Sequence, residues 1–230
     1  MSVIQAIIDY FANYSNRYFA AMSQHVGISA LSACAALFIA FPTGIMSANN
    51  RYVGAAVTGL FSTLRILPSL AVLLLCIPLI GTGVRPAVVA LTFLAIPPIF
   101  INTVLAFRTI PEPVLETALG MGMGKIRTFF LVKIPIALPL VMAGFKTASV
   151  EVIASATLAA YIGAGGLGEI IFTGLGLMRT ELLLIGGITV GAMSLAAGAL
   201  LGFFEKKLLK YNFLPQTGRK TFSFRRRKVL

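Results

Sequence analysis

Long stretches of apolar residues alternate with short polar breaks along this chain of 230 residues. An α-helix rises about 1.5 Å per residue, so roughly 20 apolar residues are enough to cross the ~30 Å hydrocarbon core of a bilayer. Five stretches reach that length, at 23–46, 53–80, 84–107, 136–162 and 182–204. The pattern therefore predicts an all-α membrane protein with five transmembrane helices.

The first residues have a different pattern, in which apolar side chains recur every three to four positions with polar residues between them. This spacing predicts an amphipathic helix lying at the membrane surface. We accordingly divide the chain into an interfacial helix over 1–22, a transmembrane domain over 23–205 and a basic tail over 206–230. The apolar positions of the first helix are Ile4, Ile7, Ile8, Phe11, Tyr14 and Tyr18.

Composition supports the membrane class, because 58% of the residues are hydrophobic, 11% are charged and the mean hydropathy is +0.93. A soluble domain of this size needs far more polar surface. The net charge of +12 suggests nucleic acid at first, but the basic residues are concentrated on one predicted side of the membrane. That side holds 14 of the 19, and the other holds only Arg17, Arg85 and Arg179.

Basic residues favour cytoplasmic loops, so we expect the segment 110–135 and the C-terminus inside and the N-terminus outside. The charge then reflects topology, and we expect membrane lipid rather than nucleic acid beside the basic tail. Catalysis is not expected, since the chain has one histidine and seven acidic residues and no cluster suited to a metal, nucleophile or cofactor. The glycines at 163, 165 and 168 follow a span rather than a strand and do not predict a dinucleotide site.

Three charged residues fall inside predicted spans, namely Arg65, Lys146 and Glu151. A charge in the hydrocarbon region costs at least ~2.5 kcal/mol, so each should face protein or a water-filled path. Counting ~1.5 Å per residue from the cytoplasmic boundaries places Arg65 at about 21 Å, Lys146 at about 16 Å and Glu151 at about 24 Å. We predict that the three line a translocation path or form a buried charge network, and an Arg65–Glu151 pair is geometrically reasonable. The alternative is that these charges only hold the spans together.

The longest polar interruption, 110–135, predicts two short helices joined by a turn containing Gly120, Gly122 and Gly124. Glu116, Ala118 and Gly122 form the pattern E-x-A-x-x-x-G, and Val-Lys-Ile-Pro follows ten residues later. This arrangement resembles the cytoplasmic coupling loop of permease subunits in binding-protein-dependent ABC importers. Thr117 stands where that family usually has alanine.

The resemblance implies the type I ABC importer permease fold, with a coupling helix-turn-helix that docks on an ATPase. Ala118 would be its small contact face and Gly122 its sharp turn. Implied partners are two cytoplasmic ABC ATPase subunits that bind the ATP, a second permease copy or paralogue, and an external substrate-binding protein. The chain itself would be no enzyme, and it would lie in a bacterial or archaeal cytoplasmic membrane. The implied coupling residues are Glu116, Thr117, Ala118, Gly120, Gly122 and Met123.

The segments 64–83, 120–124 and 156–175 further resemble permeases of osmoprotectant importers, which take up glycine betaine, carnitine, choline or similar quaternary amines. A methionine or amino-acid permease of the same architecture is an alternative. A channel or membrane-assembly subunit is the alternative from another class. A channel has no use for a helix-turn-helix that couples to an ATPase.

Overall fold

The computed structural model describes residues 3–211, and side-chain surroundings to residue 208. All regular elements in this part are helical, as predicted, and most of the predicted tail over 206–230 lies outside it. A π-helix, Phe129–Lys133, joins α6 to α7, and a 3₁₀-helix, Leu158–Ile162, follows α7. The α-helices are α1 (Val3–Ala48), α2 (Arg51–Leu64), α3 (Ser69–Ile80), α4 (Val84–Arg108), α5 (Glu112–Gly120), α6 (Lys125–Thr128), α7 (Ile134–Ala156), α8 (Leu167–Gly176) and α9 (Thr180–Tyr211).

Helix α1 joins the predicted interfacial helix and the predicted first span into one element, with a kink at Tyr14. No proline or glycine separates the two segments near residue 22, so the helix continues. Part of the apolar face before residue 22 packs on protein, because Tyr10 is buried in a cluster with residues of α8 and α9. The Tyr18 hydroxyl also lies 3.0 Å from Oγ1 of Thr189 in α9. The position of this segment at the membrane surface stays a prediction.

The predicted second span is not one helix but two, since α2 and α3 differ in direction by 95°. Arg65 forms the C-cap of α2, and Pro68 precedes the first residue of α3. Proline has no N–H to donate and disfavours helical backbone at the residue before it. The chain therefore turns between residues 65 and 68 instead of bending within a continuous helix.

Contacts at the two ends of α4 show that the bent pair crosses from one side to the other. At the C-terminal end, the Arg108 guanidinium donates to the carbonyl oxygens of Asn50 at 2.7 Å and Arg51 at 3.2 Å, where α1 ends and α2 begins. At the other end, the Gly83 N–H donates to the Ile162 carbonyl at 2.7 Å, beyond α7. Four helices or helix runs in the described residues are long and apolar enough to span a membrane, and counting the α2–α3 pair as one span gives up to five.

Helix α4 forms the centre of the bundle and packs against α1, α3 and α7. Two glycines on neighbouring helices allow this close approach. A Cβ added at Gly44 of α1 would lie 2.8 Å from the Thr103 side chain, and one at Gly144 of α7 would lie 2.7 Å from that of Asn102. The buried residues of α4 in this core are Ala87, Ala90, Leu91, Ala95, Ile99, Phe100 and Val104.

Candidate functional site

The segment between α4 and α7 begins with α5, which proline starts and glycine ends. Pro113 lies in the first turn, where a missing N–H costs no intrahelical hydrogen bond. After the helix, the Gly122 N–H donates to the Leu119 carbonyl at 2.9 Å, and the Met123 N–H donates to the Ala118 carbonyl at 3.1 Å. This pair of bonds is a Schellman motif, and Gly122 occupies its left-handed position with φ of +78°. The predicted sharp turn at Gly122 is confirmed.

The side of α5 that carries Ala118 faces the rest of this chain. Ala118 is only 2% exposed, so its side chain packs within this chain, and its part in a contact face for an ATPase stays a prediction. Helical periodicity gives the orientation, since residues on the opposite side of α5, including Glu116, Thr117 and Gly120, are exposed. Gly122 is exposed as well, and Met123 is half-buried. The predicted coupling residues are therefore divided between the two sides of the segment.

Large apolar side chains surround the exposed turn. Leu119, Met121 and Ile126 are all largely exposed, although they lie in the longest polar interruption of the chain. A group of exposed apolar residues rimmed by polar ones is typical of a protein interaction site. Sequence reasoning missed these three residues. Their apolar character in a segment outside every predicted span could have indicated a contact surface. We call Glu116, Thr117, Leu119, Met121 and Ile126 the coupling surface.

The second predicted helix of the segment is not separate from the following span. After α6, the chain makes the π-helix and enters α7 without a break, with Pro135 in the first turn of α7. The Ile134 N–H donates to the Phe129 carbonyl, five residues back, which is the wider π spacing. Pro135 thus lies at the start of the apolar stretch of α7, and the helix widens ahead of the proline instead of ending.

A cavity of about 380 Å³ lies between this segment and the ends of α1 and α4. Phe107 of α4 and Phe129 stack at its edge with ring centroids 6.0 Å apart. Two basic side chains, Lys125 and Lys133, line it beside apolar ones. The segment thus contacts α4 through the stack of Phe129 on Phe107, with this cavity beside the contact.

Arg65 and Glu151 form an ion pair, with Nη2 and Oε1 2.6 Å apart. The depth count made this contact geometrically reasonable, and the structure places Arg65 beside the C-terminal part of α7. Each side chain is 43% exposed, and both line a pocket of about 230 Å³. We call it the ion-pair pocket, and its lining residues are Arg65, Leu67, Ser69, Leu94, Glu151, Val152 and Ser155.

Lys146, the third predicted charge, lies elsewhere. Its ammonium group pairs with Glu205 of α9, and it does not contact Arg65 or Glu151. The three charges thus belong to two separate ion pairs and not to one network. Sequence reasoning missed Glu205 because it falls just beyond the apolar stretch that ended at residue 204.

The family model for the inner membrane component of binding-protein-dependent transport systems matches residues 40–210. The chain belongs to this family. This permease is 38% identical over 205 residues to the carnitine transport permease protein OpuCB of Listeria monocytogenes, across 89% of this chain and 94% of that protein. It is 36% identical over 185 residues to the glycine betaine/carnitine/choline transport system permease protein OpuCB of Bacillus subtilis, across 80% and 85% of the two chains.

Among solved structures, the permease is similar to a chain of an amino acid ABC transporter with a TM-score of 0.70. The match covers 86% of this chain and 96% of that one at 15% identity. An identity this low supports the fold alone, and the predicted type I importer permease fold is confirmed.

Proposed function

We propose that this chain is the permease subunit of an ATP-driven importer that translocates small trimethylammonium osmoprotectants delivered by an external binding protein. The relatives that support the solute class are named for carnitine, glycine betaine and choline. Each of these compounds carries a trimethylammonium group. The amino-acid alternative has weaker support, because the amino acid transporter is similar in fold at 15% identity only.

The observation that carries the transport proposal is the coupling surface beside the Schellman turn. A channel needs no exposed apolar group on a short helix outside its spans, whereas an ATP-driven permease needs a surface through which a separate ATPase moves it. The exposed side chains of Leu119, Met121 and Ile126 offer apolar area for such docking. ATP is bound and hydrolysed by the ATPase subunit in this proposal.

The proposed orientation places the coupling surface in the cytoplasm and the N-terminus outside. Basic residues cluster at the end of the bundle that carries the coupling segment, including Arg51, Arg108, Lys125 and Arg127. Five crossings then put the two ends of the chain on opposite sides of a bacterial or archaeal cytoplasmic membrane. A second permease copy or paralogue completes the translocation path.

Co-expression of the tagged chain with its cognate ATPase and binding protein tests this function. We expect the ATPase to co-purify with the chain in detergent, and we expect glycine betaine- or carnitine-loaded binding protein to stimulate ATP hydrolysis by the reconstituted complex. Thr117→Arg on the coupling surface should abolish co-purification. The proposal is contradicted if the ATPase co-purifies equally with the wild-type chain and with Thr117→Arg. It is also contradicted if loaded binding protein does not change the rate of ATP hydrolysis.

A further inference from the structure

We propose that the ion-pair pocket is a transit site for a zwitterionic solute, in which Arg65 takes the carboxylate and Glu151 the quaternary ammonium group. This inference rests on the proposed transport function and specifies the solute as a betaine rather than a simple cation. It begins from the accessibility of the pair, since each side chain is 43% exposed and both line the pocket.

The pocket lies where a spanning helix is broken. Helix α3 starts at Ser69, and no side chain caps it at Pro68. The first N–H groups of a helix have no partner inside the helix, and they favour negative charge. Half-helix N-termini of broken transmembrane helices bind anionic solute groups in other transporters. Arg65 and the start of α3 therefore offer one wall suited to a carboxylate.

The Glu151 side of the pocket suits a methylated cation. The Glu151 carboxylate supplies the negative charge, and the partly exposed Leu94 supplies apolar surface for methyl groups. A quaternary ammonium group has no N–H to donate, so it needs charge and apolar contact rather than hydrogen-bond acceptors. Among the described residues that line the pocket there is no aromatic ring, which predicts contact weaker than an aromatic cage gives. Weak contact is appropriate for a site that a solute must leave.

Charge balance selects the zwitterion. An unpaired charge in the hydrocarbon region is costly, and the Arg65–Glu151 pair avoids that cost in the empty state. A bound betaine replaces the Arg65–Glu151 pair with two new pairs, its carboxylate with Arg65 and its ammonium group with Glu151, so every charge keeps a partner. A cation such as choline pairs with Glu151 but leaves Arg65 without a partner. The pocket should therefore admit betaines more readily than choline.

The test measures uptake of labelled glycine betaine and labelled choline into proteoliposomes that contain the complete complex. Binding protein is saturated with each solute, so that its own selectivity does not enter the ratio. Arg65→Gln should lower the betaine-to-choline uptake ratio by about 10-fold or more, because it removes a charged hydrogen-bond donor from the carboxylate alone. Glu151→Gln should lower uptake of both solutes.

Lys146→Gln is the matched control, since it removes the charge of an ion pair on the same helix α7 away from the pocket. It should leave the ratio within about 2-fold of wild type, whatever its effect on the rates. If Arg65→Gln does not assemble, Arg65→Lys keeps the charge and loses the planar fork, and it should lower the ratio to an intermediate value.

The outcomes separate this inference from the proposed function. A ratio that Arg65→Gln leaves within about 2-fold of wild type overturns the transit site while transport itself stands. A wild-type complex that moves neither solute in the presence of ATP overturns the solute class, and the transit site with it. A lowered ratio with unchanged ATPase co-purification supports both.

Discussion

Gly122 allows the sharpest test of the coupling segment, residues 110–135, because glycine is needed at this position only for its backbone conformation. A Cβ added there would meet no atom within 4 Å, so space does not limit a substitution. The backbone does, since φ is +78°. A β-branched residue in the left-handed region costs about 1–2 kcal/mol, and opening the turn instead loses two hydrogen bonds of about 0.5–1.5 kcal/mol each.

Either route for Gly122→Val therefore costs about 2 kcal/mol, which corresponds to roughly a 30-fold shift away from the observed turn. The coupling surface flanks this turn, so its two halves lose their relative position. Gly122 is exposed and makes no contact with the bundle core that a side chain there would disturb. We expect Gly122→Val to insert and to keep the thermal unfolding midpoint of wild type within a few degrees, while ATPase co-purification and solute uptake fall strongly.

Gly122→Asn is the matched control, since asparagine adopts the left-handed conformation more readily than valine does. It should retain most uptake. Gly120→Ala and Gly124→Ala should also retain it, because neither glycine has a positive φ or a neighbour within 4 Å of an added Cβ. The assay is uptake in proteoliposomes with co-purification measured in parallel. Equal activity of the valine and asparagine variants would refute the conformational argument.

Three further predictions follow from the structure. Because Arg65 and Glu151 are paired, a double-mutant cycle on the unfolding free energy should give a coupling of about 0.5–3 kcal/mol, and purely additive losses would exclude the pair. Ala118→Arg should lower the thermal unfolding midpoint because it buries an unpaired charge, whereas Thr117→Arg on the exposed side of α5 should not. Calorimetry of the two variants measures this difference. Single cysteines in the α8–α9 loop and in the tail, in a chain without the native cysteines, should label from outside and from the cytoplasm respectively, and labelling of both from one face would contradict the five-crossing topology.

Features that depend on local chemistry were predictable from the sequence. The glycine-rich break predicts a turn, the resemblance places its sharpest bend at Gly122, and the positive φ and Schellman bonds at Gly122 agree with both. The similar depth of Arg65 and Glu151 was predictable, because the rise per residue of a helix is fixed, but depth alone does not show that the two side chains meet. The five crossings followed from the length of the apolar stretches.

Features that depend on packing between distant elements were not predictable. The motif named Ala118, but the side of α5 on which it lies is set by how the segment meets the bundle. The partner of Lys146 is Glu205, 59 residues away, and no local pattern links them. The apolar stretch 53–80 reads as one span, whereas the structure divides it into α2 and α3, which differ in direction by 95° and both pack against α4.

ATP-dependent uptake tests the central claim most directly. Proteoliposomes that contain this chain, its cognate ATPase and its second permease copy or paralogue are supplied with binding protein loaded with labelled glycine betaine or carnitine. With ATP on the side of the coupling surface, we predict accumulation of label against a gradient, and with a non-hydrolysable ATP analogue we predict none. Equal entry of label under both conditions, at the rate of passive flow, would contradict an ATP-driven permease and favour a channel.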